Sequence, residues 1–274
     1  VCVCNRQMDK ETEDKIMKAT DIMHPEDAKA IQMIKSVPGC EQLIRVFMKL
    51  GYEAQYRGEN LANHIKVTLK SFSEIYRLFK EVVARVGIRE PELYIYNDPE
   101  INAYTYGETN TFVAISSGAV ERMNKDELKG ILAHECGHIL CKHTLYMTIW
   151  RTLQDMGALL GVVHRTMFAP LYLALQYWSR KAELSADRCA AVVVGEETFQ
   201  SALVKLASGL KETTRRMRGL VEQGKQYEAF KRSSLWYRVQ QEYRCMFYSY
   251  LQLCTRALEL SLIHISEPTR HAQI

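Results

Sequence analysis

Two histidines four residues apart, with a glutamate beside the first, stand in the segment His134-Glu135-Cys136-Gly137-His138. On a helix, four residues turn about 400° and rise about 6 Å, so both imidazoles project from one face toward a common point. That is a two-nitrogen clamp for zinc. Glu135, adjacent to the first histidine, can reach a water held on such a metal without itself being a ligand. Hydrolytic chemistry needs a third protein ligand and an open fourth position. The segment Glu183-Leu184-Ser185-Ala186-Asp187 offers both a ligand and its support. Glu183 is the candidate third ligand, and Asp187, one turn later, can accept a hydrogen bond from the outer nitrogen of a ligand histidine. Alone, this acidic pair also reads as a solvated helix face flanked by Arg180, Lys181 and Arg188.

The pentapeptide by itself is weak, because chance supplies such a string in on the order of one chain in a hundred of this length. Its setting is stronger. Asn124 stands three residues before Glu127 and opens an apolar-periodic run through Leu128, Ile131, Leu132 and Ile139, a helix start close to a capping box. The histidines therefore lie inside a helix. Upstream, Leu93 to Tyr96 reads as a short strand closed by Asn97-Asp98-Pro99, and Thr111 to Ser116 as a second strand able to pair with it. Ser73 to Val86 reads as a helix, as does Met8 to about Leu50 with a break at Pro38-Gly39, and Phe199 to Leu258 is again helical.

Taken together, the segments resemble the HtpX-like and CAAX prenyl protease family of zinc metallopeptidases, which are gluzincins, over about Ile88 to Arg256. In that family an Asn-Ala pair precedes an edge strand, followed by the motif helix and a Glu-x-x-x-Asp helix. Here these are Asn102-Ala103, Thr111 to Ser116, His134 to His138 and Glu183 to Asp187. The resemblance implies an α+β fold, mostly helical and zincin-like, with a small sheet whose edge strand borders the active-site helix. It implies one zinc ion per chain on His134, His138 and Glu183, with Glu135 as general base and Asp187 behind the ligands. It also implies that peptide substrate adds to the edge strand, at Asn102, Ala103, Phe112, Val113 and Ala114. His143 matches a histidine common in such helices; its angle places it off the ligand face, in a supporting role. Where the family commonly carries a late His-Pro and then Arg, this chain has Tyr250-Leu251 and Arg256. Tyr250 and Arg256 are the candidates for stabilising the transition state, since a tyrosine hydroxyl can donate to an oxyanion.

Composition bounds the remaining classes. The chain has 274 residues, 47% apolar and 25% charged, with a formal charge of +4 and no basic block interleaved with aromatics, so nucleic acid is not an expected partner. Eight cysteines at irregular positions, without a leader pattern, argue against a disulfide framework and for a reducing cytoplasm. Cys2 and Cys4 lack a second pair at zinc-ribbon spacing, Cys136 and Cys141 read as packing residues, and His24, His64 and His164 as surface or packing residues. Between Leu145 and Trp178 the chain is strongly apolar. A span over Met156 to Trp178 would put Arg165 near mid-membrane at about 2.5–3.5 kcal/mol, so core helices are favoured over membrane association. One catalytic domain is expected over 8–259, with a helical part at 8–87 and a core at 88–259. Residues 1–7, ahead of Met8, and 260–274, which resemble a translated library adapter and carry His264 and His271, are set aside. The expected function is a zinc-dependent endopeptidase acting on peptides or unfolded protein; the alternative is a weakly active or inactive zinc-binding interaction or chaperone-like module.

Overall fold

A computed structural model describes residues 17–39, 51–151 and 169–209, together with a few isolated positions outside these ranges. Residues 1–7, His164, Tyr250, Arg256 and the stretch 260–274 lie outside the described residues, as does the first half of the Met156–Trp178 segment.

The fold is α+β, with most of the helices packed on one face of a small mixed sheet. After a short α1 (Ala19–Ile22), α2 (Pro25–Ser36) begins where proline's fixed φ suits the first turn, and His24 Nδ1 accepts from the Glu26 N–H at 3.2 Å. Its buried positions, Asp27, Ala30 and Ile34, fall on one stripe. Next come α3 (Tyr52–Asn63), the two-residue β1 (Ile65–Lys66) and α4 (Ser73–Val86). Helix α4 buries Ile75, Phe79, Val82, Val83 and Val86 and stops at Gly87, whose φ of 77° is the left-handed conformation glycine adopts at no steric cost.

The sheet is built from β1, β2 (Glu92–Tyr96), β4 (Phe112–Ser116) and β3 (Ala103–Tyr106), in that order. The two expected strands do pair, in parallel, with Leu93 opposite Val113 and Ile95 opposite Ile115. The edge is elsewhere than expected. β4 lies inside the sheet, with β2 on one side and antiparallel β3 on the other, and all five of its residues are buried. Its backbone groups are taken by neighbours on both flanks, so Phe112, Val113 and Ala114 cannot receive an added strand. The outer strand on the antiparallel side is β3. One sheet face, through Leu93, Ile95, Val113 and Ile115, joins the core formed with α4 and the motif helix. The other carries Tyr94, Tyr96, Tyr104, Tyr106 and Phe112, partly covered by Tyr56 of α3.

Downstream run α5 (Ser117–Arg122), α6 (Lys125–Leu140), α7 (Ala169–Val194) and α8 (Glu196–Ser208). The expected capping box starts α6: Asn124 Oδ1 accepts from the Glu127 N–H and Glu127 Oε2 from the Asn124 N–H, each at 2.9 Å. Glu127 also takes Lys205 Nζ at 2.6 Å and Ser201 Oγ at 2.8 Å, pinning α8 to the start of α6. Burial would raise the Glu127 carboxyl, but these hydrogen bonds override it and hold it below its ordinary range. Among the described residues no helix is long and apolar enough to cross a membrane.

Candidate active site and metal centre

Helices α6 and α7 carry the site, and a glycine sets how closely they approach. A Cβ at Gly137 would lie 2.7 Å from Cys189 Cβ and 3.1 Å from Ala186 Cα. Only a residue without a side chain lets the two helices meet there. The contact joins the stretch between His134 and His138 on one helix to Ala186 and Cys189, beside Asp187, on the other.

His134 and His138 are buried, and their Nε2 atoms stand 3.1 Å apart. Glu183 closes the triangle: its Oε2 is 3.4 Å from His134 Nε2 and its Oε1 3.6 Å from His138 Nε2. Tetrahedral zinc with ligands at about 2.0–2.1 Å separates neighbouring donors by roughly 3.4 Å. The three donors fit a metal ion of that size, and their ligand atoms all lie within 4.8 Å of one another. Glu183 is the most accessible of them, its side chain 25% exposed against 8% and 2% for the histidines. The centre is therefore reachable from the Glu183 side. Nitrogen, nitrogen and carboxylate donors suit zinc, but they also suit other first-row divalent ions.

Each histidine is oriented from behind. Asp187 Oδ1 lies 3.0 Å from His134 Nδ1, and Phe199 stacks along the ring with centroids 6.1 Å apart. Behind His138 the partner is His143, Nδ1 to Nδ1 at 3.0 Å. The helix-wheel angle placed His143 off the ligand face. That angle does not apply, because α6 ends at Leu140 and Lys142 takes a left-handed φ of 58°. The chain then doubles back, and the His143 N–H donates to the His138 carbonyl at 2.9 Å. Beyond His143 stands Asp27, wholly buried, with Oδ2 2.8 Å from His143 Nε2. Asp27 also accepts from Ser185 Oγ at 2.5 Å and Trp178 Nε1 at 3.1 Å. Sequence reading missed Asp27, since an acidic residue in a first helical turn is the ordinary complement to the helix dipole.

Glu135 is buried on α6 beside His134. Tyr96, at the end of β2, feels its charge: burial, then the neighbouring Tyr104, Asp98 and Glu135, push the Tyr96 hydroxyl well above its ordinary range. Tyr96 therefore stays protonated over the whole neutral range. Asn102 sits where β3 begins. Its Oδ1 accepts from the Ala103 N–H at 2.9 Å, and its carbonyl accepts from the Ser116 N–H at 2.9 Å. By the antiparallel register, Ala103 and Thr105 turn their backbone groups to the outer side of β3. The thiols of Cys136, Cys141 and Cys189 are buried, and burial raises all three, Cys141 to about 12. They are packing residues at neutral pH.

The chain matches the model of peptidase family M48 over residues 69–249. It is also 29% identical over 230 residues, 81% of its own length and 67% of the relative's, to the plastoglobule-localized metallopeptidase 48, chloroplastic, of Arabidopsis thaliana. No solved structure matches it significantly. The family match covers about two thirds of the chain and includes every element that builds the His134, His138 and Glu183 cluster, so this protein belongs to peptidase family M48, the HtpX-like metallopeptidases.

Proposed function

We propose that the chain is a zinc-dependent endopeptidase. The reading is carried by the convergence of His134 Nε2, His138 Nε2 and a Glu183 carboxylate oxygen on one point, with buried Glu135 next to His134 in the chain. Bound zinc would supply Lewis acidity that makes water nucleophilic near neutral pH. Glu135 accepts the proton of the attacking water and delivers it to the leaving amine. Asp187 holds His134 in register. Peptide substrate lies along β3, the outer strand beside β4, with Asn102 fixing the strand's start. Arg256, which matches the family pattern, and Tyr250, which stands where the family commonly carries a histidine, are the candidate oxyanion donors. Substrates are unfolded or extended protein segments, because strand addition needs a backbone free of its own pairing.

The test is Glu135→Gln on protein with its metal content measured. It should keep one zinc per chain and lose about 10²–10⁴-fold in the rate of cleaving internal bonds of an unfolded protein. Turnover equal to the parent's would remove Glu135 from the mechanism. Protein free of any bound divalent metal after supplementation would remove the zinc reading itself.

A further inference from the structure

Three groups outside the ligand set meet at the oxygens of one buried carboxylate, and the ligands alone do not account for them. Asp27 comes from α2, which precedes the stretch matched by the family model, yet its carboxylate is wholly buried beneath α7 and the end of α6. It receives His143 Nε2 at 2.8 Å and Ser185 Oγ at 2.5 Å on Oδ2, and Trp178 Nε1 at 3.1 Å on Oδ1. The Trp178 ring stands edge-on to His143 with centroids 5.6 Å apart, which fixes the imidazole plane. Ser185 is itself held, accepting the His24 N–H at 3.0 Å.

Hydrogen-bond polarity runs one way along this chain of groups. A carboxylate only accepts, so His143 Nε2 donates to Asp27. Neutral His143 then has an acceptor at Nδ1, and His138 Nδ1 must donate to it across 3.0 Å. That leaves His138 Nε2 with its lone pair, facing His134 Nε2 and Glu183. The opposite assignment would put a proton on His138 Nε2, where it blocks ligation. Asp187 does the same for His134 directly, at 3.0 Å.

We propose that Asp27 is a positioning residue of the metal centre: through His143 it selects the His138 tautomer whose Nε2 is open to the metal. The two ligand histidines are thus set by two carboxylates, Asp187 at first hand and Asp27 through a relaying imidazole. This rests on the metal reading above, but its first test does not need metal.

Long-range proton–nitrogen correlation spectra of metal-free, histidine-labelled protein at about pH 8, above the ordinary histidine range, read the tautomers directly. His138 and His134 are expected with the proton on Nδ1, and His143 with it on Nε2. His138 found without a proton on Nδ1 in the parent would overturn the proposal without any variant. In Asp27→Asn the Nδ1–H form of His138 should lose its dominance, and zinc affinity measured against a competing chelator should fall about ten- to a hundredfold. Affinity within about twofold of the parent's would overturn it. Trp178→Phe removes a different hydrogen bond to Asp27 and should lower the melting temperature while sparing the tautomer. An equal loss of zinc affinity in that variant would reduce Asp27 to a packing role.

Discussion

Asp187 Oδ1 and His134 Nδ1 lie 3.0 Å apart, both buried, on two helices that touch through Gly137. The carboxylate faces the imidazole's outer nitrogen, so the inner one carries the lone pair. Asp187→Ala leaves a buried N–H without its acceptor, at about 1–3 kcal/mol, and lets the ring turn. Zinc affinity should drop about ten- to a hundredfold, whereas Glu183→Ala, losing a ligand, should bind far more weakly still. Chelator competition on the two variants distinguishes them. Equal losses would mean that Asp187 and Glu183 do not divide the work in this way.

Gly137→Ala should be the most damaging small change in α6. Alanine in place of glycine gains about 1 kcal/mol in a helix. At Gly130 the new methyl would meet Phe199 and Val194 side chains at 3.2 Å, and these can yield, so that variant should be close to neutral. At Gly137 the neighbour is Cys189 Cβ at 2.7 Å, which cannot move without its backbone. Overpacking of about 1–3 kcal/mol then outweighs the propensity gain. Urea denaturation of the two variants should show Gly137→Ala less stable than Gly130→Ala, with weakened zinc binding as the helices separate.

Acid should weaken the sheet through Glu92. Burial would raise its carboxyl, but hydrogen bonds from Arg57, Lys66 and Tyr94 prevail and hold it at about 2. The folded value lies below that of the unfolded chain, about 4.3, so the unfolded chain takes up the proton first. The stabilisation is complete above about pH 5 and disappears as pH falls toward 2. With Arg57 and Lys66 both more than a third exposed, screening limits it to ~1 kcal/mol. Glu92→Gln should melt below the parent at neutral pH and converge with it near pH 2. A gap that stays constant with pH would exclude this assignment.

Much of the site was legible because its signals are local. The Asn124–Glu127 box, the histidine spacing and the Glu183–Asp187 spacing each depend on residues within one helix, and their occurrence together in one chain gives them weight that none has alone. β3 was not picked out: Ala103-Tyr104-Thr105-Tyr106 is four residues long, set between Asn102 and Gly107, too short for periodicity alone to establish a strand. The interior position of β4 did leave a trace. Phe112-Val113-Ala114-Ile115 is apolar without alternation, the pattern of a strand buried on both faces rather than one at an edge. His143 was placed by an angle that assumed an unbroken helix, and the left-handed Lys142 breaks it. Asp27 depends wholly on tertiary placement, 116 residues before its imidazole partner.

That last separation bears on where the working unit of this protein begins. Residues 69–249 are enough to be recognised as the family, but His143, Trp178 and Ser185 are shaped around a carboxylate that enters from residue 27. A fragment cut at the recognised boundary would keep all three ligands and lose the stop against which one of them rests. What lies ahead of the peptidase domain in sequence is, in space, part of its floor.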